Sequence, residues 1–264
     1  TDRRRFDYYR RLNRPENKSI FKNKEETYRH FGAYFRRELL HLRGPEDWPQ
    51  FQAFCDRQAG FICKPRDSSC GKGIRIYPTV GPQRERQFQE ILHQYAGAAI
   101  VEELIRQAPE LAAFHPASVN TVRIPTLFLG GRALVYHPFL RTGIGPSIVD
   151  NGGSGGILAG IDPATGTVET AGRDESGIYY EKHPDTGLVF RGFQVPQWPE
   201  LLALADQLCR IVPTNRYTGW DFALTAQGWI LVEANDRGQF VGFQMMTGKG
   251  CRRELEAILA AHGL

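Results

Sequence analysis

No stretch of this 264-residue chain approaches the length of an apolar membrane span, for which a helix needs about 20 residues, and no signal-peptide pattern opens it. Cysteine is sparse: Cys55, Cys63, Cys70, Cys209 and Cys251 are scattered, odd in number and never spaced C-x-x-C, which argues against zinc and redox motifs. A reduced cytoplasmic setting is expected. The dinucleotide signature G-x-G-x-x-G is missing, and Gly71-Lys72 lacks both the earlier glycine and the following Ser/Thr of a P-loop. No Ser-His-Asp or Cys-His order stands out, no histidine spacing suits a metal, and His137 and His183 read as packed or solvated residues, with facing the substrate as the alternative. Phe6, Tyr8 and Tyr9 have no RNA- or DNA-binding module around them, so nucleic acid is not an expected partner.

What is present supports a sizeable core. With 41% hydrophobic and 23% charged residues, the chain can fold as one compact domain or two lobes. Charge is uneven: residues 1–43 carry 13 Lys/Arg against 6 Asp/Glu, which leaves the remaining 221 residues three negative charges in excess. That front end, with Arg3-Arg4-Arg5, Arg10-Arg11 and Arg14, reads as a solvated helical arm or as an attractor of an anionic substrate. Apolar positions at Tyr28, Phe31, Phe35, Leu39 and Leu42 predict an amphipathic helix over 24–42, ended by Gly44-Pro45. Further helices are expected near 84–96, 199–212 and 250–262. Strands are expected at 61–65, 74–77, 99–103, 119–129 and 132–140, the last two joined at Gly130-Gly131.

Three segments carry chemistry. In residues 219–235, apolar and β-branched runs flank a Gln227-Gly228 turn, the pattern of a β-hairpin. Side chains alternate along a strand, so Glu233 and Asn235 share a face, and Asp221 on the first strand can meet Glu233 across the pair. Two carboxylates and an amide oxygen on one face suit Mg²⁺; a sheet edge with solvated acids fits the hairpin equally. In the second segment, Lys64 on a short apolar strand precedes Asp67-Ser68-Ser69-Cys70-Gly71-Lys72-Gly73. Such a loop can lay backbone N–H groups against phosphate while the ammonium adds a point charge, or it is simply a hairpin turn. The third is Ala99–Ile105, a buried strand ending in Glu102-Glu103.

The order of these parts resembles the ATP-grasp superfamily across nearly the whole chain, and most of all its sugar-transfer-associated branch, related to the α-L-glutamate ligases. Asn120–Ile124, Val149-Asp150-Asn151-Gly152-Gly153 with Gly155-Gly156, and Trp220-Asp221-Phe222 are similar to that branch's motifs. The resemblance implies an α+β fold in which two α+β lobes enclose ATP, behind a short basic helical segment. Its boundaries here would be 1–45 for that segment, 46–105 for the small lobe and 106–264 for the large lobe. It implies phosphate-binding roles for Lys24 and Lys64 and a phosphate-facing loop with Ser68, Ser69, Gly71 and Gly73. Glu102, Glu103 and Ile105 would form an adenine-recognising hinge, Glu110 a ribose contact, and Asp221, Glu233 and Asn235 the Mg²⁺ ligands. Arg123 and Arg141 would hold an acyl phosphate, with Asn151 near the same centre. The activity implied is ATP- and Mg²⁺-dependent joining of a small-molecule carboxylate to an amine, with a sugar or surface-polymer precursor as one substrate. Fewer residues precede the nucleotide lobes than in many such ligases, so loops, the basic front end or a partner protein would complete the acceptor site. A phosphotransferase and a non-catalytic nucleotide-binding module are the competing expectations; the three intact metal ligands argue against the second.

Overall fold

The computed structural model describes residues 2–66, 73–79, 83–238 and 240–264. The chain opens with helices α1 (Asp2–Leu12), α2 (Lys18–Lys22) and α3 (Lys24–Phe35) and strand β1 (Leu39–Leu42). Helix α4 (Trp48–Arg57), strands β2 (Gly60–Pro65) and β3 (Arg75–Pro78), helix α5 (Arg84–Tyr95) and β4 (Ala99–Glu103) follow. After α6 (Pro109–Ala112) come β5 (Thr121–Leu129), β6 (Arg132–Val135), β7 (Phe139–Thr142), β8 (Ile157–Gly160), β9 (Gly172–Arg173) and β10 (Tyr179–Tyr180). Helix α7 (Trp198–Ile211), β11 (Tyr217–Thr225), β12 (Gly228–Asn235), α8 (Val241–Thr247) and α9 (Arg252–Ala261) complete it. These elements sort into two compact units, Asn23–Ile105 and the remainder.

In the unit Asn23–Ile105 the strands form an antiparallel sheet in the order β1-β4-β2-β3. Alternation gives it one apolar face: Leu42, Phe61, Cys63 and Val101 pack against Phe51 and Phe54 of α4 and Phe88 and Ile91 of α5. Ile62, Lys64, Ile100 and Glu102 fall on the other face, since Ile62 pairs with Glu102 and Lys64 with Ile100. The helix expected over 24–42 stops at Phe35. Arg36 adopts a left-handed backbone (φ 46°) that ends α3, and Leu39–Leu42 then pair with β4 as a strand. Apolar spacing alone does not show such a break. Residues 1–45 are accordingly divided: 1–22 belong with 106–264, and α3 and β1 belong with the Lys64 sheet.

The other unit is built on an eight-stranded antiparallel sheet, ordered β10-β9-β8-β7-β5-β11-β12 with β6 beside β5. Strand β11 is buried along nearly its whole length. Helix α7 packs on β5, β6 and β12, burying Leu201, Ala205 and Leu208. The basic front end is no loose arm. Tyr9 and Leu12 of α1 lie in the core with Tyr217, Phe240 and Leu259, and Tyr9 Oη donates to the Gly238 carbonyl at 2.7 Å. The strand expected over 132–140 ends at Val135. His137 takes φ 51°, and Arg141 lies on the separate strand β7, which pairs with β5 from Thr121 to Arg123.

Candidate active site

The hairpin of β11 and β12 contains a β-bulge that decides its chemistry. From the Thr225–Gly228 pair the ladder is regular to Phe222–Leu231; the next pair is Asp221–Glu233, and Val232 is skipped. Without that extra residue Asp221 would oppose Val232 and Glu233 would fall on the opposite face. Asp221 in turn pairs with Arg123 on β5, and Thr121 on β5 with Arg141 on β7. Thr121, Arg123, Arg141, Asp221, Glu233 and Asn235 therefore share one sheet face.

Asp221, Arg123, Arg141, Asp150 and Thr121 form an ionic cluster through their side chains. Asp221 is 2% exposed. Arg123 binds it through two nitrogens, Nε to Oδ1 and Nη2 to Oδ2, the latter at 2.6 Å. Arg141 Nη1 adds a third bond to Oδ2 at 2.9 Å, while its Nη2 reaches Asp150 Oδ1 at 3.0 Å. Asp150 accepts from the Thr121 backbone N–H at 2.9 Å and from the Thr121 hydroxyl. Burial pushes the Asp221 carboxyl up, but the two guanidinium groups outweigh it and hold its pKa below the usual carboxylate range. For Asp150 burial wins over Arg141 and Thr121, and its pKa is raised. Burial works against the charged form of Arg141, yet Asp150, Asp221 and Glu233 together raise its pKa.

Glu233 and Asn235 follow on β12, on the same sheet face as this cluster. Two guanidinium groups face three carboxylates here, which leaves a negative excess beside Glu233. Asn235 Nδ2 is buried with no hydrogen-bond partner, a costly arrangement that a reoriented amide and a cation at its oxygen would relieve. Among the described residues no three His, Cys, Asp or Glu side chains converge at metal-holding distance. A cation here would rest on Glu233 and Asn235, with Asp221 on the same face, and take its remaining ligands from water and phosphate, as Mg²⁺ does. Both oxygens of Asp221 accept from the arginines.

Asn151 lies beside this cluster. It caps the short turn Gly152–Ser154, its Oδ1 accepting from the Gly153 N–H at 3.3 Å. Gly156 is needed because a Cβ there would stand 2.4 Å from the Asp150 carbonyl oxygen. Glu110 is exposed in the first turn of α6.

A second buried ion cluster occupies the polar face of the four-stranded sheet. Glu102 is 3% exposed; its Oε1 holds Lys64 Nζ at 2.5 Å, and its Oε2 holds Arg37 Nε at 3.0 Å and Nη2 at 2.9 Å. Burial raises the Glu102 pKa, but Arg37 and Lys64 bring it down to about 2. Glu102 has both oxygens engaged, whereas Glu103 is half-buried and accepts from the Glu38 N–H at 3.2 Å. Ile105 ends this unit. Lys24 Nζ donates to the Arg66 carbonyl at 3.2 Å. Ser68, Ser69 and Gly71 lie outside the described residues; Gly73 has φ 73° and a Cβ there would meet Pro65 at 2.9 Å.

Sequence reasoning missed Asp150, Thr121 and Arg37 as site residues. Asp150 stands next to Asn151 in a motif already singled out, whereas Arg37 lies 65 residues from Glu102 in a charge-rich segment with nothing to mark it.

No curated protein matches the chain by sequence. Among solved structures, the ATP-grasp ligase PsnB in complex with a precursor variant, Mg and ADP is similar at 14% identity and a TM-score of 0.55, over 94% of this chain and 61% of that one. D-alanyl-alanine synthetase A from Vibrio cholerae matches at 13% identity and a TM-score of 0.52, over 89% and 61%. A RimK domain ATP-grasp protein from Sphaerobacter thermophilus matches at 12% and 0.50, over 88% and 66%. At such identities the likeness is one of fold, and the chain spans less than two thirds of the length of each. The family described as sugar-transfer associated ATP-grasp matches residues 3–260, nearly the whole chain, and the protein belongs to it.

Proposed function

We propose that the protein is an ATP- and Mg²⁺-dependent ligase that joins a carboxylate to an amine through an acyl phosphate. The observation that carries this reading is the pair Arg123 and Arg141 held on one buried carboxylate, Asp221, beside Glu233 and Asn235. The reaction must bring two anions together. A substrate carboxylate oxygen attacks the γ-phosphorus, the bond to the β-phosphate oxygen breaks and ADP leaves; the amine nitrogen then attacks the acyl carbon and phosphate departs.

Each residue set has a task in this scheme. Arg123 uses Nε and Nη2 on Asp221, which keeps the planar fork rigid and leaves Nη1 for an acyl-phosphate oxygen. Arg141, tied to Asp221 and Asp150, is held in one orientation and needs no reordering as charge develops. Glu233 and Asn235 would hold Mg²⁺, which when bound neutralises phosphate charge. Lys64, steered by Glu102, and Lys24 meet the phosphates, and Glu103 with the backbone to Ile105 meets adenine. The family's association with sugar transfer supports a sugar or surface-polymer precursor as one substrate.

Calorimetry tests the nucleotide half directly. Mg²⁺-dependent ATP binding is expected, and Lys64→Ala is expected to weaken it severely while thermal unfolding verifies that the variant is folded. Equal affinity in the folded variant and the parent protein would overturn the assignment.

A further inference from the structure

A cavity outside the site described above lies on the same sheet face, beside Arg173. The register runs from Arg141 to Leu158, from Leu158 to Arg173 and from Arg173 to Tyr179 across β7, β8, β9 and β10. Cross-strand partners share a face, so Arg173 stands on the side of Arg141, two strand spacings or roughly 10 Å away. Helix α8 packs on β8 and β9, and its last turn, with Arg173 and Lys249, walls an open cavity of about 470 Å³ that Gln244, Met245, Gly248 and Gly250 complete.

Three observations give the cavity a ligand class. Its charged side chains are both cations, and among the described residues neither has a carboxylate within ion-pair distance. The nearest acid in sequence, Asp174, is engaged by the Ile178 N–H and the Tyr180 hydroxyl, each at 2.9 Å. Arg173 donates from Nη1 to the Met245 carbonyl, but its Nε is buried with no acceptor. Closing the last turn of α8 explains the first bond and neither the unused Nε nor Lys249. Finally, the guanidinium lies over the Tyr179 ring at 4.6 Å from its centroid, and Tyr179 as a residue is 63% exposed. Stacking fixes the plane of the fork and offers an apolar wall beside it.

We infer that this cavity is a subsite for an oxyanion, a carboxylate or phosphate group of a small-molecule substrate, held by Arg173 and Lys249 with Tyr179 flanking the attached carbon skeleton. Its role as a substrate subsite rests on the ligase reading above. The experiment titrates phenyl phosphate, benzoate and inorganic phosphate into ¹⁵N-labelled protein and follows the Arg Nε–H resonances, with dissociation constants read from ligand signals. The expected result is a saturable shift of the Arg173 Nε–H, at least tenfold weaker binding in Arg173→Lys, at least threefold weaker in Lys249→Gln, and tighter binding of phenyl phosphate than of inorganic phosphate. Whichever of phenyl phosphate and benzoate binds tighter names the anion. No saturable shift, or equal affinity in Lys249→Gln and the parent protein, overturns the site. Mg²⁺-ATP is titrated into the same parent sample: an anion response without ATP binding overturns the substrate role and leaves the oxyanion cavity standing.

Discussion

Replacing Glu102 by Gln removes a negative charge that Arg37 and Lys64 share. Glu102 and Arg37 have side chains 4% and 3% exposed, and Lys64 is 15% exposed, so water cannot substitute for the lost carboxylate. A carboxyl held at about 2 in place of its ordinary 4.5 corresponds to about 3 kcal/mol of folding free energy. Removing one partner of a buried ion pair typically costs about 3–5 kcal/mol, and the two figures agree. The sign follows from proton binding: the folded carboxyl binds its proton more weakly than the unfolded one, so the stabilisation is complete above about pH 4.5 and fades as pH falls toward 2. Urea unfolding at neutral pH, together with hydrogen exchange over Gly60–Pro65 and Ala99–Glu103, should report a loss of this size in Glu102→Gln. The variant should also lack the acid-dependent loss between pH 4.5 and 2. Unchanged exchange in these strands and an unchanged acid limb would refute the claim that Glu102 is the charge anchor of Lys64.

Glu233→Gln and Asn235→Ala should each lower turnover by about 10²- to 10³-fold, the usual cost of one lost preorganised electrostatic contact, with thermal stability maintained; steady-state rates at saturating ATP beside a melting curve decide this. Gly143→Ala should destabilise by roughly 1–3 kcal/mol, because its Cβ would stand 2.4 Å from Ser118 Oγ and 2.6 Å from His115 Nδ1; chemical denaturation measures it. Burial pushes the Cys63 thiol up to about 12 and Cys55 to about 11, so both should resist alkylation near pH 8 in the folded protein and react on unfolding, as peptide mass spectrometry would register.

The parts of the fold that local pattern governs were legible. Alternation and a short glycine turn marked the hairpin, and Asp221 and Glu233 do pair across it. The bulge at Val232 that aligns them has no sequence signature. A helix and a following edge strand can share one apolar spacing, which is why Arg36 and its left-handed backbone divided 24–42 unannounced. The break between Val135 and Phe139 likewise turns on the backbone of His137. The candidate site was legible as residue types but not as partnerships. That Asp221 is engaged by two arginines, and that Arg37 shares Glu102 with Lys64, depends on contacts between residues 38 to 98 apart in the chain. Only the folded sheets reveal them.

Product analysis tests the central claim most directly. Incubated with Mg²⁺-ATP, hydroxylamine and a panel of carboxylates, the protein should release ADP and inorganic phosphate and convert its true substrate to a hydroxamate, because only the γ-phosphoryl group is transferred to the carboxylate. Release of AMP and pyrophosphate, or a phosphorylated product stable to hydroxylamine, would contradict it.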